Sequence, residues 1–120
     1  MKARKTILVV DDDSHFRELC RTALRFAGFN VVTASDGLGA LEVVQNEAPS
    51  LIILDLNMPC VDGWGVLREL ASADSTRAIP VIVVTGADVG RATLQAEAIL
   101  HKPISPEQVL PVIDRVLRAA

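Results

Sequence analysis

Several residues that can do chemistry follow directly on apolar segments of this sequence. The segments at residues 6–10 and 51–54 consist mainly of branched apolar residues, which is typical of strands buried on both faces of a sheet. In open α/β sheets, ligands bind at the carboxyl ends of the strands. If the strands are parallel, the residues that follow them meet at one edge of the sheet. The residues at this edge would be Asp11 and Asp12 after the apolar segment 6–10, Asp55 after 51–54, Thr85 after 81–84 and Lys102 after 99–101.

Three carboxylates at one edge would repel one another. Two carboxylates about 4 Å apart repel by roughly 4 kcal/mol at an effective dielectric near 20, so Asp11, Asp12 and Asp55 call for a cation or for raised pKa values. Oxygen ligands on turns suit Mg²⁺. Together with the Lys102 ammonium and the Thr85 hydroxyl, such an ion would stabilise a phosphoryl group. Asp55 is then the candidate nucleophile that forms an acyl phosphate.

Each of these residues has a simpler interpretation when it is taken alone. A run such as Asp11-Asp12-Asp13 more often caps a helix than binds a metal. Thr85 alone is an ordinary strand end, and Lys102 alone is an ordinary surface lysine. Their occurrence at the ends of separate apolar strands favours a common site.

The segments between these strands predict helices. Strand and helix alternate, and each crossover is long enough only for parallel pairing, so we expect five βα units around one parallel sheet. Pro111 should bend the last helix, because it removes a backbone hydrogen bond. The predicted helices run from Asp13 or Ser14 to about Ala27, from Asp36 to about Ala48, from Asp62 through Leu70, from Asp88 to about Ala96, and from a Ser105 cap toward Arg118, with a second strand at 30–34.

Composition and charge exclude several classes of protein. The chain has 120 residues, half of them apolar, which predicts one domain over residues 1–120. The net charge is −3 and the basic residues are scattered, so we expect no nucleic-acid binding by this chain alone. No apolar run approaches the roughly 18 residues of a membrane span, and a signal peptide is not evident, so we expect a cytoplasmic protein. Cys20 lies on an apolar helix face and Cys60 in a surface loop, without the spacing of a zinc site.

Taken together, the motifs resemble the receiver domain of two-component response regulators. This resemblance implies a flavodoxin-like, doubly wound five-stranded parallel sheet of order 2-1-3-4-5, with helices on both faces. The strands before Asp11 and Asp55 would then be neighbours where the winding reverses. The motifs that carry the resemblance are Ile7-Leu8-Val9-Val10-Asp11-Asp12, Leu54-Asp55-Leu56-Asn57-Met58-Pro59 with Asp62-Gly63, Val83-Val84-Thr85-Gly86-Ala87, and Lys102-Pro103.

The resemblance also implies a role for each site residue. Asp55 would accept a phosphoryl group from the phosphohistidine of a sensor histidine kinase or a phosphotransfer protein. Asp12 would bind Mg²⁺ directly, Asp11 mainly through water and Asn57 through its backbone carbonyl. Thr85 and Lys102 would bind the phosphoryl oxygens, and the peptide between Lys102 and Pro103 is often cis in this family. Such a domain is not an enzyme with a separate substrate; it catalyses its own phosphorylation and dephosphorylation, and an output partner reads its altered conformation.

The sequence departs from the family on the surface that normally signals. Ile99 occupies the position where the family usually has an aromatic residue that changes rotamer, and the segment between Thr85 and Lys102 is about one helical turn shorter than is common. We therefore expect ordinary phosphorylation but unconventional transmission of the signal.

Two alternative functions fit parts of the sequence. One is a phosphate-independent interaction module on a receiver scaffold, which the altered signalling surface motivates. The other is a phosphatase of the haloacid dehalogenase type, which also uses an aspartate nucleophile. Those enzymes need a second carboxylate two residues further on as the general acid, and this chain has Asn57 there.

Overall fold

A computed structural model of the chain describes residues 4–89 and 96–119. Strands and helices alternate as predicted from residue 6 to residue 85, and most of the helix expected from Asp88 to Ala96 lies outside the described residues. The elements are β1 (Thr6–Val10), α1 (Ser14–Phe26), β2 (Asn30–Ala34), α2 (Gly37–Asn46), β3 (Leu51–Leu54), α3 (Gly63–Ser72), β4 (Val81–Thr85), β5 (Ala98–His101) and α4 (Pro106–Ala119).

The five described strands form one parallel sheet in the order β2-β1-β3-β4-β5, which confirms the expected architecture. β1 lies next to both β2 and β3, so the direction of winding reverses there. Val10 pairs with Leu54, which brings the residues after β1 and β3 to the same level. Thr85 pairs with His101 at the end of β4 and β5. The register therefore places all the predicted site residues along the carboxyl edge of the sheet.

Side chains on the two faces of the sheet form two apolar layers. Alternate strand residues point to opposite faces, so Ile7 and Val9 belong to one layer and Leu8 and Val10 to the other. In the first apolar layer the sheet packs against α1 and α4 through Phe16, Cys20, Leu24, Val109, Ile113 and Val116. In the second apolar layer it packs against α2 and α3 through Ala40, Val44, Val66, Leu67 and Leu70. Helices therefore cover both faces, as expected.

Polar side chains at the helix starts fix where several helices begin. The carboxylates of Asp13, Asp36 and Asp62 accept backbone N–H groups of the first turns of α1, α2 and α3. The predicted role of the Ser105 hydroxyl at the last helix differs in the structure. Here the side-chain oxygen of Gln108 accepts the Ser105 backbone N–H at 2.8 Å, and the Ser105 hydroxyl donates to the same oxygen at 3.3 Å. The Gln108 bond is the half of a capping box in which the third helical residue bonds the N–H of the residue before the helix.

α4 continues through Pro111 to Ala119 without a break in the helix. None of the helices within the described residues is long and apolar enough to cross a membrane.

Candidate functional site

The three predicted carboxylates lie together at the edge where β1 and β3 end. The Asp11 N–H donates to the Ala34 carbonyl at 3.1 Å, and the Asp55 N–H donates to the Val10 carbonyl at 2.9 Å, which extends the sheet bonding to both aspartates. One carboxylate oxygen each of Asp11, Asp12 and Asp55 lies within 4.8 Å of the others. Asp11 is only 1% exposed and Asp55 5%, whereas Asp12 is exposed. The carboxylates are thus clustered with one open side.

Lys102 brings a positive charge into this cluster. Its Nζ atom lies 2.6 Å from Asp11 Oδ2 and 3.5 Å from Asp55 Oδ2. The backbone supports this placement, because the Lys102 N–H donates to the Thr85 carbonyl at 2.9 Å. The Lys102-Pro103 peptide is cis, as the resemblance implied. The lysine is therefore bonded more closely to Asp11 than to Asp55.

Burial and the Lys102–Asp11 bond together shift the pKa values of this pair. Burial raises the pKa of Asp11, even though the hydrogen bond from Lys102 acts in the opposite direction. Burial alone would lower the pKa of Lys102, but its hydrogen bond to Asp11 and the two nearby carboxylates outweigh burial and raise that pKa. When all groups are ionised, three carboxylates face one ammonium. The excess of two negative charges explains why a cation would be attracted.

The loop after β3 is held close to Asp55. The Asn57 N–H donates to Asp55 Oδ1 at 3.3 Å. α3 starts against this loop, with the Gly63 N–H donating to the Leu56 carbonyl at 3.1 Å. A Cβ atom at position 63 would overlap the Asp55 carbonyl oxygen and lie 2.6 Å from the Leu56 Cα atom. Only glycine allows α3 to approach the strand end so closely.

Thr85 lies at the end of β4 and is completely buried. Its hydroxyl oxygen accepts the Ala87 N–H at 3.1 Å, and its carbonyl accepts the Lys102 N–H. Thr85 is therefore hydrogen-bonded both to the loop that follows it and to the backbone of Lys102. Its position at the same edge agrees with the sequence prediction.

The sequence argument missed three contacts that shape the cluster. The Asp13 N–H donates to Asp11 Oδ1 at 2.9 Å, so Asp13 orients a carboxylate as well as capping α1. Arg17 donates from its guanidinium to the Asp11 carbonyl at 2.7 Å. The ring of Phe16 lies beneath the Lys102 ammonium, with Nζ 4.9 Å from the ring centroid. Nothing in the sequence distinguishes Arg17 from the other charged residues of α1, and Phe16 has the spacing of an apolar core residue.

Comparison with known families gives a match across most of the chain. A family model described as the response regulator receiver domain matches residues 7–114. The probable transcriptional regulator ycf27 of Cyanophora paradoxa is 41% identical over 120 residues, covering 96% of this chain and 49% of that protein. The response regulator MprA of Mycobacterium sp. (strain KMS) is 38% identical over 117 residues, covering 93% of this chain and 50% of that protein. The chain thus spans about half the length of these curated relatives.

Solved structures agree with this match over nearly their whole length. The chemotaxis response regulator CheY4 of Vibrio cholerae superposes with a TM-score of 0.86 at 28% identity, covering 95% of this chain and 99% of that one. A CheY-like response regulator receiver domain protein from Methanospirillum hungatei superposes with a TM-score of 0.86 at 27% identity, covering 98% of this chain and 96% of that one.

Proposed function

This chain belongs to the response regulator receiver domain family, and from that premise we propose that it is a phosphoacceptor switch whose acceptor is Asp55. The phosphoryl donor is the phosphohistidine of a cytoplasmic sensor histidine kinase or phosphotransfer protein. The observation that carries the proposal is the position of Asp55, which has Lys102 Nζ at 3.5 Å and two further carboxylates beside it. We take residues 1–120 as one receiver domain.

The carboxylate cluster fits a magnesium ion. Mg²⁺ prefers oxygen ligands, binds directly to one or two carboxylates and keeps several waters. Here one oxygen from each of three carboxylates lies within 4.8 Å of the others, and burial raises the pKa of Asp11, so a cation beside it would offset the cost of its charge. We assign direct binding to Asp12 and Asp55, water-mediated binding to Asp11 and backbone carbonyl binding to Asn57. When bound, the ion would neutralise charge on the phosphoryl oxygens.

In the proposed reaction a carboxylate oxygen of Asp55 attacks phosphorus. The new O–P bond forms as the P–N bond to the donor histidine breaks, and the imidazole leaves with the electron pair of that bond. The Lys102 ammonium and the Thr85 hydroxyl donate hydrogen bonds to the phosphoryl oxygens. The Thr85 hydroxyl oxygen also accepts the Ala87 N–H, so a turn of this side chain toward the phosphoryl group would stretch or break that bond and couple chemistry at Asp55 to the loop after β4.

Transmission of the signal would be a population shift. Moving a two-state switch from 1:99 to 99:1 takes roughly 5.5 kcal/mol of differential interaction. Ile99, at the position that is usually aromatic, is partly buried and packs on the second apolar layer. A β-branched side chain packed in this way has restricted rotamers. We therefore propose that Thr85 and the loop after β4 carry the signal to a partner or output domain without a rotamer change at residue 99. The usual repacking of β5 in a structure with a phosphate mimic would contradict this.

The test of the proposed function is uptake of a phosphoryl group. The wild type is incubated with a small phosphodonor and Mg²⁺, and its intact mass is measured. We expect one phosphoryl group on the wild type, none on Asp55→Asn, and none when EDTA replaces Mg²⁺. Asp114→Asn is the matched control, because Asp114 lies on α4 and pairs with Arg118, and it should be modified like the wild type. An unmodified wild type, or a modified Asp55→Asn variant, would refute the proposal.

The site favours neither alternative function. A phosphatase of the haloacid dehalogenase type needs a carboxylic acid two residues after its nucleophile, but the residue here is Asn57, whose N–H already contacts Asp55. A phosphate-independent interaction module has no use for a half-buried ammonium beside two buried carboxylates. Partner binding that is unchanged in Asp55→Asn would nevertheless support such a module.

A further inference from the structure

The Lys102 ammonium has an aromatic neighbour in addition to its two carboxylates. Nζ lies 4.9 Å from the centroid of the Phe16 ring, within the range of about 6 Å in which the face of an aromatic ring attracts a cation. Phe16 is 7% exposed and packs in the first apolar layer beside Cys20. The lysine side chain is 24% exposed, so its approach to the ring is only partly open to water.

Both the backbone and the side chain of Phe16 hold the ring in place. The backbone of Phe16 belongs to the first turn of α1, where its N–H donates to the capping carboxylate of Asp13 at 3.4 Å. Its side chain is packed in the core, so moving the ring away from the lysine would open a cavity. α1 thus presents a fixed aromatic face to a residue that is 86 positions later in the sequence.

We propose that Phe16 is a positioning residue that keeps the Lys102 ammonium beside Asp55, an inference that rests on the proposed phosphoacceptor function. The carboxylate bonded most closely to the lysine is Asp11, which is also a proposed ligand of the metal. A metal ion that shares the Asp11 carboxylate with Lys102 would weaken the hydrogen bond between Asp11 and the Lys102 ammonium. The attraction of the Phe16 ring does not depend on the carboxylates, so it keeps the lysine in the cluster when Asp11 is engaged elsewhere.

The geometry can be tested without phosphorylation. Protons above an aromatic ring resonate upfield, so the Lys102 methylene protons next to Nζ should show upfield NMR shifts in the wild type and ordinary shifts in Phe16→Leu. The leucine variant keeps an apolar side chain in the core. Ordinary shifts in the wild type would overturn the proposed contact even if Asp55 is phosphorylated as expected.

The electrostatic role can be separated from packing by fluorination of one ring. Fluorine withdraws negative charge from the ring face while changing its size little. Mono-, di- and trifluorophenylalanine at position 16 should lower the rate of phosphorylation by a small phosphodonor stepwise, by roughly three- to tenfold for the trifluoro ring. The same series at Phe29, which packs on the same apolar layer, is the matched control and should leave the rate unchanged.

The outcomes distinguish this inference from the proposed function. If the wild type takes up no phosphoryl group, the proposed function fails. If the wild type is phosphorylated and the fluorinated series shows a constant rate, Phe16 acts only through packing and the inference fails. In a Lys102→Ala background, fluorination at Phe16 should have no further effect, because the partner of the ring is gone. A persistent effect there would also overturn the inference.

Discussion

Replacing Lys102 with methionine removes the ammonium and keeps an apolar stem of similar length. In the wild type, Nζ lies 2.6 Å from an oxygen of Asp11 and 3.5 Å from an oxygen of Asp55. At an effective dielectric near 20, the attraction over these distances is roughly 6 and 5 kcal/mol, but desolvation of the charges offsets much of it. Removing one partner of a buried ion pair costs about 3–5 kcal/mol. Because the lysine side chain is 24% exposed, we expect a loss of about 3 kcal/mol in the free energy of unfolding at neutral pH without Mg²⁺.

This loss should shrink on acidification. Burial raises the pKa of Asp11 and the Lys102 hydrogen bond opposes the rise, so the pKa of Asp11 should be higher still in the variant. A carboxyl group with a raised folded-state pKa destabilises the fold while it is ionised, and the penalty disappears below its ordinary value of 3.8. The variant should therefore regain stability relative to the wild type as the pH falls toward about 4. On the alkaline side, the raised pKa of Lys102 keeps its contribution to stability in place up to about pH 10.5, and the contribution is lost as the pH rises through the folded-state pKa of Lys102.

The assay is urea denaturation in EDTA at neutral and at acid pH, followed by the fluorescence of Trp64, the single tryptophan of the chain. Arg118→Met is the matched control, because it breaks the Arg118–Asp114 pair on the surface of α4, whose side chains are 80% and 60% exposed. An exposed pair contributes about 0–1 kcal/mol, so this variant should change little. A loss in Lys102→Met that is the same at both pH values, or no larger than that of the control, would refute the electrostatic reasoning.

Two further predictions concern the loop after β3 and the two thiols. Gly63→Ala should lower the free energy of unfolding by about 2–3 kcal/mol in urea denaturation, because its Cβ meets the backbone of Asp55 and Leu56, whereas Gly86→Ala, with nothing within 4 Å of the added atom, should be nearly neutral. Equal effects of the two substitutions would contradict the close approach of α3. Burial raises the pKa of Cys20 to about 12, while Cys60 is exposed, so iodoacetamide at mildly alkaline pH should add one label to the native protein and two in urea. Rapid labelling of Cys20 in the native protein would be evidence against the packing of α1.

The sequence was sufficient to predict most of the secondary structure, for reasons that are local. The apolar run of β3 and the carboxylates that start α1, α2 and α3 are signals within a few residues of the elements they define. The order of the strands did not come from such signals but from the resemblance to receiver domains. Ser105 shows the limit of local signals, because its hydroxyl was expected to cap α4 but donates to the side chain of Gln108, which in turn accepts the Ser105 N–H.

The carboxylate cluster was predictable in membership but not in its internal bonding. Asp11, Asp55 and Lys102 were expected at one edge because each follows an apolar strand. The closer bond of Lys102 to Asp11 than to Asp55 depends on the path of the chain after β5, which spacing does not determine. The contact of Phe16 with Lys102 joins two elements distant in sequence, and an apolar helix residue gives no sign that it faces a cation.

The two apolar layers have a consequence for how substitutions combine. The helix residues of the first layer and those of the second layer are separated by the thickness of the sheet, so changes in stability from substitutions in α1 or α4 and in α2 or α3 should be additive. The carboxyl edge is different, because Phe16 reaches it from one side and Leu56 from the other. The O–P bond proposed at Asp55 would therefore act on both apolar layers. Two substitutions whose effects on stability are additive in the unphosphorylated protein, one in each layer, should no longer be additive once this bond has formed.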